Sequence, residues 1–151
     1  MTLNSDQLGK KGEARFSEIC SDAKLTCNPS SYDRTGWDFI VEFPFDPPGR
    51  QPSLDKRRSP ISCHVQVKTM WSSNDTFRMR LSSAERLAKE PKPAFVYVFK
   101  VNKNLGFVEA YLVHMLDDNL ATILKRLRRE HAKGPKETAK INKKYITFRA
   151  N

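Results

Sequence analysis

The chain has 151 residues, 38% of them hydrophobic and 29% charged, which is the size and composition of one soluble globular domain that can bury its own core. Its 27 Lys and Arg outnumber its 17 Asp and Glu, and the formal charge of +10 favours a polyanionic partner such as nucleic acid over a surface that is basic only for solubility. Three widely spaced cysteines argue against a disulfide framework or a zinc site, and because neither an apolar signal core nor a membrane-spanning run of ~20 residues occurs, we expect a cytoplasmic protein without a membrane partner.

The N-terminal segment predicts a helix. Ser5 or Asp6 can cap it, and apolar residues recur at helical spacing until the helix ends near Ala23. Gly9 and Gly12 interrupt this helix at a propensity cost of ~1 kcal/mol each relative to Ala. We therefore expect their small size to serve close packing or a ligand.

Two strands are predicted next. A polar loop over residues 28–36 leads into an aromatic and β-branched segment, residues 37–43, which is typical of a strand. Alternation of apolar and polar residues predicts a second strand over residues 61–69. The proline-rich stretch between them, residues 44–60, is predicted to lack regular structure and is either a functional loop or a tolerated insertion.

The second half of the chain alternates strands and helices. Ser82 or Ser83 is expected to cap a helix that runs to Lys89, with Glu85 completing a capping box with Ser82. The segment 94–101 is the most apolar strand, so we place it at the centre of the sheet. The remaining predicted elements are strands over residues 77–81, 107–114 and 144–149 and a helix over residues 117–131. This order predicts a mixed α/β domain spanning residues 1–151. Because the sequence ends directly after a predicted strand, this domain is alternatively the N-terminal domain of a longer protein.

Three polar residues on the first two strands point to chemistry. If these strands are antiparallel neighbours, Asp38 at the start of one meets Gln66 and Lys68 near the end of the other, and the latter two share a face because strand side chains alternate. Carboxylate and amide oxygens suit Mg²⁺ or Mn²⁺. A lysine can stabilise charge on a phosphorane or help to deprotonate an attacking water. Solvated side chains without function are the alternative, which the apolar neighbours of Asp38 and Lys68 disfavour.

Three short motifs follow one another between residues 9 and 69. They are Gly9-x-x-Gly12-Glu13-Ala14, then Asp33-Arg34-Thr35-Gly36-Trp37-Asp38-Phe39-Ile40-Val41, then Val65-Gln66-Val67-Lys68-Thr69. In order, spacing and placement they resemble the PD-(D/E)xK, or restriction-endonuclease-like, nuclease superfamily. The likeness is to the branch with Gln in place of the acidic residue, as in Mrr-type methyl-directed restriction enzymes and small bacterial defence-associated nuclease domains.

The resemblance implies a mixed β-sheet flanked by helices with the core order α-β-β-β-α-β. It also implies an enzyme that hydrolyses phosphodiester bonds with Mg²⁺ or Mn²⁺, an endonuclease acting on DNA more than on RNA in a prokaryotic defence or restriction context. Sequence recognition would come from a fused or separate partner domain, and a homodimer is a further expectation. Asp33, in the loop before Gly36, is a weaker site candidate because Asp there is often only a turn former.

The resemblance also assigns roles to individual residues. Asp38 would be the principal metal ligand, and the backbone carbonyl of Val67 would complete the metal shell. Gln66 would bind the metal through its amide oxygen but brings one negative charge fewer than the usual Glu or Asp. Lys68 would be the catalytic lysine. Glu13 would reach the metal or its water from the first helix, unless it is an ordinary solvent-facing glutamate.

Basic residues elsewhere are candidates for nucleic-acid contacts, although a merely solvated surface is the alternative for each. They are Arg57 and Arg58 in the proline-rich loop and Lys125, Arg126, Arg128 and Arg129 on the outer face of the late helix. Two other functions stay open. Because of Gln66, the domain is alternatively a nucleic-acid-binding module that has lost cleavage. The other hypothesis is a protein-interaction domain of a defence or toxin system, whose positive charge binds an acidic partner.

Overall fold

The computed structural model describes residues 2–31, 36–44 and 53–150. Within these ranges it contains two β-sheets, four α-helices and two 3-10 helices, the latter at Leu54–Lys56 and Ile141–Lys143. The other elements, in chain order, are α1 (Ser5–Asp22), β1 (Thr26–Pro29), β2 (Phe39–Phe43), β3 (Ile61–Trp71), β4 (Thr76–Arg80), α2 (Leu81–Ala88), β5 (Ala94–Val101), β6 (Phe107–His114), α3 (Asp117–Ala132), α4 (Pro135–Thr138) and β7 (Tyr145–Arg149).

The main sheet is mixed and has the strand order β1-β2-β3-β5-β6. Strands β1, β2 and β3 form an antiparallel meander, β5 lies parallel to β3, and β6 is antiparallel to β5. Parallel neighbours need a crossover, and α2 lies within the connection from β3 to β5. The antiparallel pairing of β2 with β3, on which the predicted site depends, is therefore confirmed.

Helices cover both faces of this sheet, and each face has its own apolar cluster. On one face, Phe16 and Cys20 of α1 pack against Val65 and Val67 of β3. On the other face, the side chains of β5 that point away from α1 pack against α2, α3 and the inner residues of β4 and β7. The strand alternation of β3 consequently sends Gln66 and Lys68 to the face opposite Val65 and Val67.

Helix α1 begins one or two residues earlier than expected. Asn4, not Ser5 or Asp6, is the N-cap: its side chain accepts a hydrogen bond from the Gln7 N–H at 2.8 Å, and the Gln7 side chain accepts one from the Asn4 N–H. The prediction of a Ser82–Glu85 capping box on α2 was also wrong, because α2 starts at Leu81 without a side-chain cap. The Leu81 N–H instead donates to the Lys144 carbonyl, a tertiary contact that no local pattern encodes.

The predictions for three strands and one loop need correction. Strand β1 lies partly within the predicted polar loop; it is short, mostly exposed and ends in proline, as edge strands often are. Strand β4, predicted as the third core strand, instead pairs with β7 in a separate two-stranded sheet. Strand β5 is an inner strand as expected, but β3 holds the central position. The predicted loop 44–60 contains the 3-10 helix Leu54–Lys56, and its residues 45–52 lie outside the described ranges.

Candidate active site

Asp38 lies one residue before β2 and is fastened to β3 by two hydrogen bonds. Its N–H donates to the Val65 carbonyl at 2.9 Å, and its carboxylate Oδ2 accepts from the Val67 N–H at 2.7 Å. Since Phe39 pairs with Val65, the same register carried back by one residue brings Asp38 beside Gln66. The carboxylate is therefore positioned by the backbone of the strand that carries the other two residues.

Gly36 allows the chain to enter this position. Its φ of +84° lies in the region that residues with a Cβ rarely adopt, and an added Cβ would come within 2.8 Å of the Arg86 Cβ on α2. The segment leading to Asp38 thus passes directly against α2. Asp33, three residues before Gly36, lies outside the described residues.

Gln66 is half-buried, and its Oε1 is buried without a hydrogen-bond partner in the part of the chain that the structure describes. An unpaired buried amide oxygen costs free energy unless a donor or a cation satisfies it. The Gln66 oxygen is therefore available to accept a hydrogen bond or to bind a cation.

Lys68 follows on the same face of β3 and is also half-buried. Burial lowers the pKa of its ammonium group below the usual value, the Asp38 carboxylate partly opposes that shift, and Arg80 reinforces it. A lysine with a lowered pKa beside a carboxylate in a cleft is typical of catalytic sites, although structural ion pairs can produce similar shifts.

Glu13 comes from α1, which approaches β3 very closely. A Cβ added at Gly12 would stand 1.8 Å from Thr69 Oγ1 and 3.4 Å from Val67 Cγ1, so only glycine permits this packing. Gly9 differs, because a Cβ there would meet nothing within 4 Å, and it lines the cleft described next. The sequence predicted that the two glycines serve either close packing or a ligand, and close packing explains Gly12.

A cleft of about 620 Å³ unites the predicted residues. Glu13 of α1, Asp38 and the β3 residues Gln66, Val67 and Lys68 all line it. A smaller cavity of about 180 Å³ shares Glu13, Asp38 and Gln66 with the first. The four residues predicted to be catalytic thus converge on one concave surface from three different segments of the chain.

The donor set of the cleft fits a hard divalent cation. No group of three His, Cys, Asp or Glu side chains in metal-binding proximity occurs within residues 2–31, 36–44 and 53–150. The oxygens at hand are the carboxylates of Glu13 and Asp38, the unpaired Gln66 Oε1 and backbone carbonyls such as that of Val67. Oxygen ligands of this kind suit Mg²⁺ or Mn²⁺, with less negative charge than three carboxylates would supply.

His64, which precedes Gln66 by one strand repeat, does not join the cleft. Its buried ring lies against Trp37, with ring centroids 4.2 Å apart, and its Nδ1 is 3.4 Å from Glu90 Oε1. Burial lowers the pKa of His64, with Glu90 opposing and Lys92 adding to the effect. Its contacts are those of a packing residue beneath the Trp37–Asp38 segment.

The predicted basic residues of α3 do not contribute to the cleft among its described lining residues. Arg126 is engaged elsewhere: its Nε donates to Glu130 at 2.9 Å and its guanidinium to the Tyr145 carbonyl at 3.1 Å. Arg126 is thus partly buried and paired with Glu130, and its role in nucleic-acid contacts stays a prediction. The other candidates are exposed, and their role in nucleic-acid contacts stays a prediction; they are Arg57, Arg58, Lys125, Arg128 and Arg129.

Two arginines at the site were not singled out from the sequence. Arg78 lines the cleft, and Arg80 is near enough to Lys68 to lower its pKa. Alternation in β4 showed that both point away from the core. Their position beside Asp38 and Lys68 depends on where β4 lies, which the local pattern does not determine.

Comparison of the chain with models of known protein families, with curated proteins and with solved structures found no match. Within the described ranges, no helix combines the length and the apolar character that crossing a membrane requires. Function is therefore inferred from the chemistry of the cleft.

Proposed function

We propose that this protein is a divalent-metal-dependent nuclease that hydrolyses phosphodiester bonds in DNA, with Glu13, Asp38, Gln66 and Lys68 as its catalytic groups. The observation that carries the proposal is their convergence on one cleft from α1, the turn before β2 and strand β3. Two carboxylates, an unpaired amide oxygen and a partly buried lysine are the groups that metal-assisted phosphoryl chemistry uses.

The chain topology supports the restriction-endonuclease-like fold as part of the same proposal. Along the main sheet, the elements α1, β1, β2, β3, α2 and β5 follow one another in the order α-β-β-β-α-β. The first three strands are antiparallel, and the crossover through α2 makes β5 parallel to β3. This order supports the core that the resemblance implies, although its three antiparallel strands are β1, β2 and β3, whereas the sequence pattern predicted β2, β3 and β4.

The proposed chemistry assigns metal binding to the oxygen donors and either of two alternative tasks to Lys68. A Mg²⁺ or Mn²⁺ ion, held by oxygens of Asp38, Gln66, Glu13 and Val67, would polarise the phosphate as a Lewis acid. Lys68, as an ammonium ion, donates to a phosphate oxygen on which charge develops, and partial burial strengthens this interaction because little water screens it. In the alternative task, the neutral amine, whose fraction the lowered pKa increases, accepts a proton from the attacking water.

Plasmid cleavage with Mg²⁺ or Mn²⁺ tests the proposal. We expect wild type to cut, EDTA to abolish cutting, and Asp38→Ala and Lys68→Ala to lower the rate by about 10²-fold or more. Asp22→Ala and Lys103→Ala are matched controls, because both residues are exposed and neither lines the cleft. Cutting that persists in both cleft variants, or a wild type that binds DNA without cutting it, would contradict the proposal.

A nucleic-acid-binding module without cleavage is the second candidate. The neutral Gln66 side chain and the lack of a three-carboxylate group in the described ranges favour it, because both predict weak metal binding. Calorimetry with millimolar Mn²⁺ separates the two functions. Heat of binding that disappears in Asp38→Ala favours the nuclease, and no heat with wild type favours the module.

A further inference from the structure

The two-stranded sheet of β4 and β7 has one buried and one exposed face. Its inner side chains pack into the core, because both strands alternate between exposed and buried positions. These inner residues are Phe77, Met79, Ile146 and Phe148. The outer face carries Thr76, Arg78 and Arg80 from β4 and Tyr145, Thr147 and Arg149 from β7, all of them exposed.

Each rung of this outer face pairs one arginine with one uncharged residue. The rungs are Thr76 with Arg149, Arg78 with Thr147, and Arg80 with Tyr145. None of the six residues is acidic, and none of the three arginines forms an ion pair with a carboxylate among the described residues. We call Arg78, Arg80 and Arg149 the arginine face.

Electrostatic repulsion within the arginine face opposes folding. Arg78 and Arg80 are one strand repeat apart, ~7 Å, so their like charges repel each other within the ~10 Å over which salt at 0.1 M leaves charges unscreened. Arg78 is nevertheless held in place, with its guanidinium 4.4 Å from the centroid of the exposed Tyr145 ring. A pre-positioned cluster of unpaired cations favours an anionic ligand.

The arginine face adjoins the candidate active site. Arg78 lines the same 620 Å³ cleft as Asp38 and Lys68, and Arg80 lies one strand repeat from Arg78 on the same face of β4. By contrast, none of the described lining residues of this cleft belongs to α3. A polyanionic chain bound to the arginine face would therefore reach the cleft.

We infer that the arginine face, with Tyr145, binds the sugar-phosphate backbone of DNA and leads one strand into the cleft. This inference rests on the proposed nuclease function and adds the surface that holds the substrate. The rung spacing of ~7 Å is comparable to the distance between successive phosphates along a nucleic-acid strand. Arginine suits this role because its planar fork donates two hydrogen bonds to one phosphate.

DNA binding in EDTA tests the inference without cleavage. The triple variant Arg78→Gln, Arg80→Gln, Arg149→Gln is compared with Lys125→Gln, Arg128→Gln, Arg129→Gln, which removes the same charge from the exposed face of α3. With a fluorescent duplex, we expect the Kd of the first variant to rise about tenfold or more and that of the second to rise much less. The slope of log K against log salt should shrink by about 2 to 3 for the first variant, because each lost phosphate contact removes about 0.9.

Folding is checked by circular dichroism and thermal melting, in which the arginine variant should keep the wild-type spectrum and a cooperative transition, with at most a small decrease in melting temperature from the lost Arg78–Tyr145 contact. If the triple variant does not fold, the single variants Arg80→Gln and Arg149→Gln replace it, each with a slope reduced by about 1. An α3 variant that weakens binding as much as the arginine variant, with wild type still cutting plasmid DNA, overturns the inference and leaves the nuclease function intact. A wild type that binds no DNA at low salt overturns both.

Discussion

Two residues in the cleft lower the stability of the fold. Lys68 keeps a charge in a partly buried position, and Gln66 keeps a buried oxygen without a donor in the described part of the chain. Each arrangement lowers the free energy of unfolding compared with an apolar residue of similar size at the same position. Such local costs are common at functional sites, because a site must hold groups that an optimised core would exclude.

We predict that Lys68→Met stabilises the protein while it abolishes cleavage. Methionine fills a similar volume without the cost of burying a charge, so the free energy of unfolding at pH 7 should rise by about 0.5 to 2 kcal/mol. Because folding lowers the pKa of Lys68, the penalty acts on wild type at neutral pH and fades as pH rises through the folded-state pKa. Urea denaturation at pH 7 measures the difference. Lys103→Met, at an exposed turn, is the control, and destabilisation by Lys68→Met would show that the ammonium makes a net favourable contact.

At the scale of elements, the contact between α1 and β3 builds the cleft. Gly12 lets the helix approach Thr69 and Val67, and the residue that follows it, Glu13, lines the cleft beside β3. The sequence marked Gly9 and Gly12 together as unusual in a helix. Only the packing of α1 on β3 separates the two, because Gly12 faces the strand and Gly9 faces open space.

The two glycines are therefore predicted to respond in opposite ways to alanine. Gly12→Ala should lower the free energy of unfolding by about 1 to 3 kcal/mol, because the new Cβ overlaps Thr69 and forces α1 away from β3. Gly9→Ala should raise it by up to ~1 kcal/mol, since the helix gains propensity and the methyl group meets nothing within 4 Å. Thermal or urea denaturation of both variants decides the matter, and equal effects would show that α1 does not pack as closely as described.

At the scale of the whole molecule, a buried glutamate neutralises part of the positive charge of the C-terminal region. Glu130 of α3 is buried, with 1% of its surface exposed, and it pairs with Arg126, Lys133 and Lys144. Lys144 also contacts Glu137 of α4 and directly precedes β7, so the network joins α3, α4 and the start of β7. Arg126, Lys133 and Lys144 therefore stabilise the fold, and net charge alone overstates the basic surface of this region.

This network predicts a specific pH dependence. Hydrogen bonds from Lys144 and Arg126 lower the pKa of Glu130 from 4.5 to about 2. Because the folded-state pKa is the lower one, the stabilisation is present above the unfolded pKa and is lost as pH falls from about 5 towards 2. Glu130→Gln should consequently unfold at lower urea than wild type at pH 7, with a gap that narrows on acidification. Glu18→Gln, which removes only an exposed pair with Arg15, should show almost no gap, and a Glu130 gap independent of pH would contradict the prediction.

Much of the candidate site was predictable because it depends on local periodicity. Alternation in residues 61–69 put Gln66 and Lys68 on one face, and the apolar patterns located α1, β2, β3, β5, β6 and α3 to within a few residues. Those patterns also indicated that Asp38 enters a strand, and antiparallel pairing then places it beside Gln66. These features follow from the two periods, 3.6 and 2.0, that side chains obey along helices and strands.

Only the tertiary structure decided which elements meet. Strand β4 reads as a strand from its sequence, but its partner β7 lies far along the chain, and that pairing creates the arginine face beside the cleft. The role of Arg126 likewise depends on the burial of Glu130. The start of α2 depends on the hydrogen bond from the Leu81 N–H to the Lys144 carbonyl. A local pattern records which face of an element is apolar; what covers that face, and which charges lie next to each other, depends on contacts between residues distant in sequence.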